Sequence, residues 1–128
     1  VSFRELLLVG AGGAVGSALR YAVSGAVAMA AFPAGTLVVN VTGSLLIGLV
    51  AGLAESRSLI SAEAWLFLVT GVLGGYTTFS AFSLETLLLL RGGQTTTAVT
   101  SAALQILLGV AAALAGFTAG MSATGRPA

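Results

Sequence analysis

Long apolar runs alternate along this chain with short polar or glycine–proline interruptions. Cut at its charged residues and Pro/Gly turns, the chain of 128 residues divides into four segments. The first extends from about Phe3 to Ala31, and Phe32-Pro33-Ala34-Gly35 reads as the turn after it. The second extends from about Thr36 to Ala54 and stops at Glu55-Ser56-Arg57-Ser58. The third extends from about Ala62 to Leu90 and stops at Arg91-Gly92-Gly93, and the fourth from about Thr95 to Gly120. A helix needs ~20 residues to cross a ~30 Å hydrocarbon core, so each run is long enough. The expected architecture is a single all-α membrane domain of four transmembrane helices.

The third run is too long for a simple span at ~1.5 Å per residue. Tilt absorbs such an excess, and so does a break. The centre of the run, Gly74-Gly75-Tyr76-Thr77-Thr78, favours a break. Glycine leaves helical φ/ψ cheaply, and Thr77 or Thr78 suits the N-cap of a second half-helix starting near Phe79. The third helix is therefore expected to break near its middle, over Gly74–Thr77; the plainer alternative is a close-packed glycine crossing with a mild kink. In hydrocarbon, non-helical backbone is tolerated only where protein or a water-filled path satisfies its polar groups. Half-helix ends offer free carbonyls to cations and free N–H groups to anions, so a break here points to an ion or substrate site.

Composition narrows the function further. The chain is 57% hydrophobic and 7% charged, against about 25% charged residues in soluble domains. The five basic residues are all Arg and the four acidic ones all Glu. A net charge of +1 leaves no basic footprint for nucleic acid. Cysteine and histidine are absent, which removes disulfides, thiolate nucleophiles, imidazole bases and almost every zinc or haem site. An enzyme would have to work with Ser, Thr, Tyr and Glu alone. The N-terminal run is Gly-rich, carries Arg20 and is longer than a secretory core, so it is not expected to be a removable signal peptide.

The polar residues inside the spans are the candidates for chemistry. Arg20 lies deep in the first span, where an Arg costs about 2.5–3.5 kcal/mol at mid-helix. It either attracts anions in an aqueous vestibule or snorkels to the interface beside Tyr21. In the second span Thr36, Asn40, Ser44, Gly48 and Gly52 recur every four residues, a stripe that also suits plain packing through small residues. Asn40 has two donors and two acceptors to satisfy, so it lines a polar path or braces the break. Phe79 and Phe82 share one helical face, as ordinary core residues or as ring edges turned to an anion. Glu85 either titrates during transport or reaches the interface. Ser101 and Gln105, four apart in the fourth span, could line a path. Arg4, Arg57 and Arg126 fall on one side of the membrane by span count, with Arg91 and the Arg20 half of the first span toward the other. That is a weak positive-inside bias, and opposite insertions of one chain are conceivable.

Three segments together resemble the small fluoride channels called Fluc or CrcB. They are Gly12-Gly13-Ala14-Val15-Gly16 with Leu19-Arg20-Tyr21, then Gly35-Thr36-Leu37-Val38-Val39-Asn40-Val41-Thr42-Gly43-Ser44, then Gly71 and Gly74-Gly75-Tyr76-Thr77-Thr78-Phe79-Ser80-Ala81-Phe82-Ser83-Leu84-Glu85. The resemblance implies an antiparallel, dual-topology homodimer in the inner (plasma) membrane, conducting fluoride passively out of the cytoplasm through two pores. It implies that Phe79 and Phe82 turn ring edges to the ion, with Asn40 as the pore asparagine and Thr36, Ser83, Ser101 and Gln105 completing the polar lining. Arg20 and Glu85 would lie at the vestibule. The carbonyls of Gly74 and Thr77, from both subunits, would hold a structural sodium ion. Three positions depart from the family pattern: Ala81, where a hydroxyl is common, and the pair Ser101 and Gln105, where Tyr and Ser are expected. The competing reading is a proton-coupled antiporter for a small molecule or for fluoride, with Glu85 as carrier.

Overall fold

The computed structural model describes residues 1–55 and 59–125. Ser56, Arg57 and Ser58, which mark the end of the second span, and Arg126 lie outside them. Among the described residues four helical stretches are long and apolar enough to cross a membrane: Phe3–Ala26, Ala34–Ala54, Ala62–Arg91 and Thr95–Ala123. We call Phe3–Ala26 α1, Ala34–Ala54 α2, the helical residues 62–76 α3, Phe79–Arg91 α4 and Thr95–Ala123 α5.

Local chemistry sets the ends. Ser2 and Glu5 form a reciprocal capping box at the start of α1, with Glu5 N–H donating to Ser2 Oγ at 3.2 Å and Ser2 N–H to Glu5 Oε2 at 2.6 Å. At the start of α3, Ser61 Oγ accepts from the Ala64 N–H, a one-way cap. The two starts lie at one end of the bundle, where Arg4 and Glu63 pair at 2.8 Å. At the opposite end, α1 stops at Ala26 rather than running to Ala31. The Ser24 hydroxyl donates back to the Arg20 carbonyl at 2.6 Å, competing with the helical ladder, and Met29 and Phe32 then close a short antiparallel bridge. Pro33 cannot donate, and α2 starts directly after it at Ala34, two residues before Thr36. The end of α4 is set by Gly93 at φ 74°, with Gly93 N–H on Leu90 O and Gln94 N–H on Leu89 O, the glycine-terminated helix end that satisfies the last carbonyls.

Two seams hold the bundle together, α1 against α3 and α2 against α5. Both depend on glycines that admit a neighbouring backbone. A Cβ at Gly12 would overlap the Phe67 carbonyl oxygen, and one at Gly16 the Val72 carbonyl oxygen. Gly48 and Gly116 stand in the same relation to Ala113 and Leu45 across the other seam. Such close approach lets dispersion and small polar contacts hold helices together in lipid, where apolar burial offers no advantage over lipid tails. Along the first seam α3 widens into π-type turns over Leu66–Leu73 and returns to α geometry over Gly74–Tyr76.

Candidate functional site

The site is built on the junction between α3 and α4. Gly74 and Gly75, expected to be where the helix gives way, stay helical; Gly74 has φ −64° and ψ −37°. Gly75 serves the α1 seam instead, since a Cβ there would come within 2.6 Å of Gly13 O. The extended residues are Thr77, at φ −78° and ψ 158°, and Thr78, at φ −152° and ψ 116°. The Thr77 side chain seals the end of α3 by donating to Leu73 O at 2.9 Å. Thr78 caps α4 by accepting from the Ala81 N–H at 3.2 Å.

Four residues of α2 hold this junction. Asn40 Oδ1 accepts the Thr78 N–H at 2.8 Å, and Asn40 Nδ2 donates to Thr78 O at 3.0 Å. One amide thus supplies the acceptor that the Thr78 N–H lacks and adds a second donor to the Thr78 carbonyl, which as N-cap already opens α4. The same Nδ2 donates to Gln105 Oε1 of α5 at 3.1 Å. One turn before Asn40, buried Thr36 donates to Glu85 Oε1 of α4 at 2.6 Å. The Tyr76 hydroxyl meets Thr42 Oγ1 at 2.9 Å. Thr42 already directs its hydroxyl proton at Val38 O, 2.7 Å away, so Tyr76 is the donor. Gly43 completes the cradle, because a Cβ there would overlap the Thr77 methyl.

Two cavities open on either side of Thr78, which lines both. One, of about 470 Å³, is bordered by Arg20, Thr36, Glu85, Ser17 and Ala81. The other, of about 320 Å³, is bordered by Asn40, Ser44, Thr77 and Phe79. A cation and a carboxylate thus face the first, and amide, hydroxyl and aromatic groups the second. The Phe79 and Phe82 rings lie 5.5 Å apart at 57°. Phe79 is 79% exposed on the single chain, an open face beside the junction.

The structure therefore gathers Thr36, Glu85 and Arg20 at one cavity, and Asn40, Gln105, Thr77 and Phe79 around the junction. It sets Ser83 apart, exposed, with its hydroxyl donated to Phe79 O at 2.9 Å. Ser101 is buried one turn before Gln105 on α5. Sequence reasoning missed Tyr76 and Thr42; a phenol and a hydroxyl inside neighbouring apolar runs were the available signal. Among the described residues no group of three His, Cys, Asp or Glu comes together to hold a metal ion. Backbone carbonyls remain as donors for a cation. The Thr78 N–H, which would close a helical turn onto Gly74 O, goes to Asn40 instead, and Gly74 is exposed. Thr77, being extended, turns its own carbonyl out of the helical direction. Both carbonyls are thus suited to a hard cation that takes oxygen ligands.

Comparison with known proteins identifies relatives of this chain. The profile of the family described as CrcB-like protein, Camphor Resistance (CrcB), matches residues 7–117. The "Fluoride-specific ion channel FluC" of Rhizobium meliloti (strain 1021) is 52% identical over 115 residues, covering 88% of this chain and 92% of its own. The protein of that name from Hyphomonas neptunium is 52% identical over 115 residues, covering 86% and 90%. That of Nitrobacter winogradskyi is 47% identical over 114 residues, covering 87% and 90%.

Proposed function

This chain belongs to the CrcB-like family, and on that premise we propose that it is a passive fluoride-selective ion channel, not an enzyme, exporting fluoride across the inner membrane as an antiparallel homodimer with two pores. The observation that carries the reading is the extended Thr77–Thr78 junction, held by Asn40 and flanked by the open Phe79 ring. Non-helical backbone at membrane depth calls for protein or an ion path around it. A second copy laid on the open face of the junction would enclose Phe79, and with it a narrow route. Fluoride is small and hard and must shed water to enter such a route. The aromatic ring edge, positive in its quadrupole, and a polar donor beside the junction would replace that water. Arg20 would draw anions to the 470 Å³ cavity, where Thr36 holds Glu85 to one side.

Gly74 and Thr77 would hold a sodium ion through their carbonyls. When bound, such an ion would supply positive charge to the carbonyls that hold it. The chain's own part is to free the Gly74 carbonyl, which Asn40 does by taking the Thr78 N–H.

One observation favours a second reading. Glu85 Oε2 is buried without a hydrogen-bond partner, as a proton-carrying acid of an antiporter would be between partners. Electrical recording from the full chain in liposomes separates the two. A channel gives fluoride current with no imposed proton gradient and very little chloride current. Strictly proton-coupled, electroneutral fluoride uptake would refute the channel. Dual insertion is tested with Gln94→Cys, since the chain has no native cysteine: labelling from both sides is expected, and labelling from one side alone would refute an antiparallel pair.

A further inference from the structure

The amides at the junction have a fixed polarity. A backbone N–H can only donate, so Thr78 N–H fixes the Asn40 oxygen toward itself, at 2.8 Å. Asn40 Nδ2 then spends its two protons on Thr78 O and on Gln105 Oε1, at 3.0 and 3.1 Å. Because Asn40 presents a donor to Gln105, Gln105 must present its oxygen in return. Its nitrogen therefore points away from Asn40 with both protons free. Gln105 is only 9% exposed, and Nε2 is buried without a partner. Buried donors are nearly always paired, since an orphan forfeits its hydrogen bonds to water and gains nothing back. Asn40, by contrast, has no proton left to give.

We propose that Gln105 Nε2, and not Asn40, is the side-chain donor that a dehydrated anion meets beside the junction. Asn40 is a positioning residue: it transmits the fixed direction of the Thr78 N–H to Gln105, so the anion receives two aligned amide protons. This rests on the fluoride-channel reading above. It goes further in giving the anion a defined donor on α5.

The test needs no variant at first. The chain has two glutamines, Gln94 and Gln105, and one asparagine, Asn40. With the side-chain amides labelled with ¹⁵N, the full-length protein in detergent micelles gives three pairs of amide proton signals, and Gln94, exposed in a loop, is the internal control. The protein is titrated with sodium fluoride against sodium chloride at constant ionic strength. The Gln105 pair is expected to shift saturably with fluoride and not with chloride, while the Asn40 and Gln94 pairs stay in place. A stationary Gln105 pair, with or without movement of Asn40, overturns the proposal. If the parent protein conducts fluoride while Gln105 is stationary, the proposal fails and the channel reading survives; absence of fluoride current removes the reading itself.

Gln105→Met, similar in length and without an amide, supplies the functional arm. The fluoride concentration for half-maximal current is expected to rise roughly tenfold or more, the weight of one hydrogen bond to a charged group. Asn40→Ser, one bond shorter than the asparagine amide, loses the link to Gln105 along with the contacts to Thr78. It should raise the same concentration alone and add nothing once Gln105 is Met. Shifts that multiply in the double variant would give Asn40 a contact of its own and overturn its positioning role.

Discussion

Gly43→Ala is the sharpest probe of the junction, because it adds one methyl group whose position is known. The new Cβ would overlap Thr77 Cγ2 and lie 3.2 Å from Tyr76 Cδ1. Nonbonded carbons settle at ~3.5–4.0 Å, so Thr77 must retreat by more than about 1 Å. Its side chain is not free to turn away, since Thr77 Oγ1 is bonded to Leu73 O at 2.9 Å. Overpacking of this kind costs ~1–3 kcal/mol, and losing the Thr77 bond adds about 1 kcal/mol. Alanine returns ~1 kcal/mol of helix propensity, which leaves a net loss of ~1–3 kcal/mol. Strain of ~1.4 kcal/mol shifts the equilibrium between the conducting arrangement and a relaxed one about tenfold, so fluoride efflux should fall by up to that factor. The assays are fluoride-electrode efflux from proteoliposomes and the unfolding midpoint in a detergent titration. Thr77→Ser deletes the offending methyl and keeps the hydroxyl, so Gly43→Ala with Thr77→Ser should recover most of both losses, with a favourable coupling of about 1 kcal/mol or more. Gly10→Ala is the control, with nothing within 4 Å of the new Cβ, and should match the parent or gain slightly. Parental stability and efflux in Gly43→Ala, or strictly additive effects in the double variant, would refute the packing argument.

Two further outcomes follow from the same cradle. Thr36→Val removes the 2.6 Å bond to Glu85 and leaves a part-buried carboxylate oxygen without its donor; stability should fall by ~1–3 kcal/mol, efflux should drop, and Thr36→Ser should restore both, as followed in the same two assays. Tyr76→Phe deletes the hydroxyl that donates to Thr42; it should cost about 1 kcal/mol in the unfolding midpoint while fluoride efflux persists, since that bond steadies the end of α3 and touches no cavity-lining atom.

The span plan was legible because membrane-crossing length and interrupting charge are properties of the sequence alone. The stop at Arg91-Gly92-Gly93 was equally legible, since a glycine at φ 74° is what that helix end requires. The true end of α1 was not. Residues 27–31 are as apolar as the helix before them, and hydropathy does not distinguish a spanning turn from apolar loop; the Ser24 back-bond that accompanies the change is a local competition invisible to a window average. The paired glycines misled for a different reason. Glycine signals either freedom to bend or room for a neighbour, and at Gly75 the second applies, with Gly13 O where a side chain would be. The π-type turns of Leu66–Leu73 had no sequence signal at all.

Asn40 shows where single-sequence reasoning runs out at the site itself. Its four hydrogen-bonding positions demanded partners, and that demand was readable. Which partners answered it was not, because Thr78 is 38 residues away and Gln105 65. Read as a lone amide, Asn40 offers its protons to whatever passes. Placed against Thr78, it has already spent them, one on the backbone and one on Gln105. The stripe on α2 is therefore not a uniform polar wall. Thr36 directs a carboxylate, Asn40 directs an amide, and Gly43 withholds a side chain so that Thr77 can turn. Each acts on the junction through something else, and the buried side-chain atoms left without a hydrogen-bond partner among the described residues, Gln105 Nε2 and Glu85 Oε2, are the ones α2 has positioned.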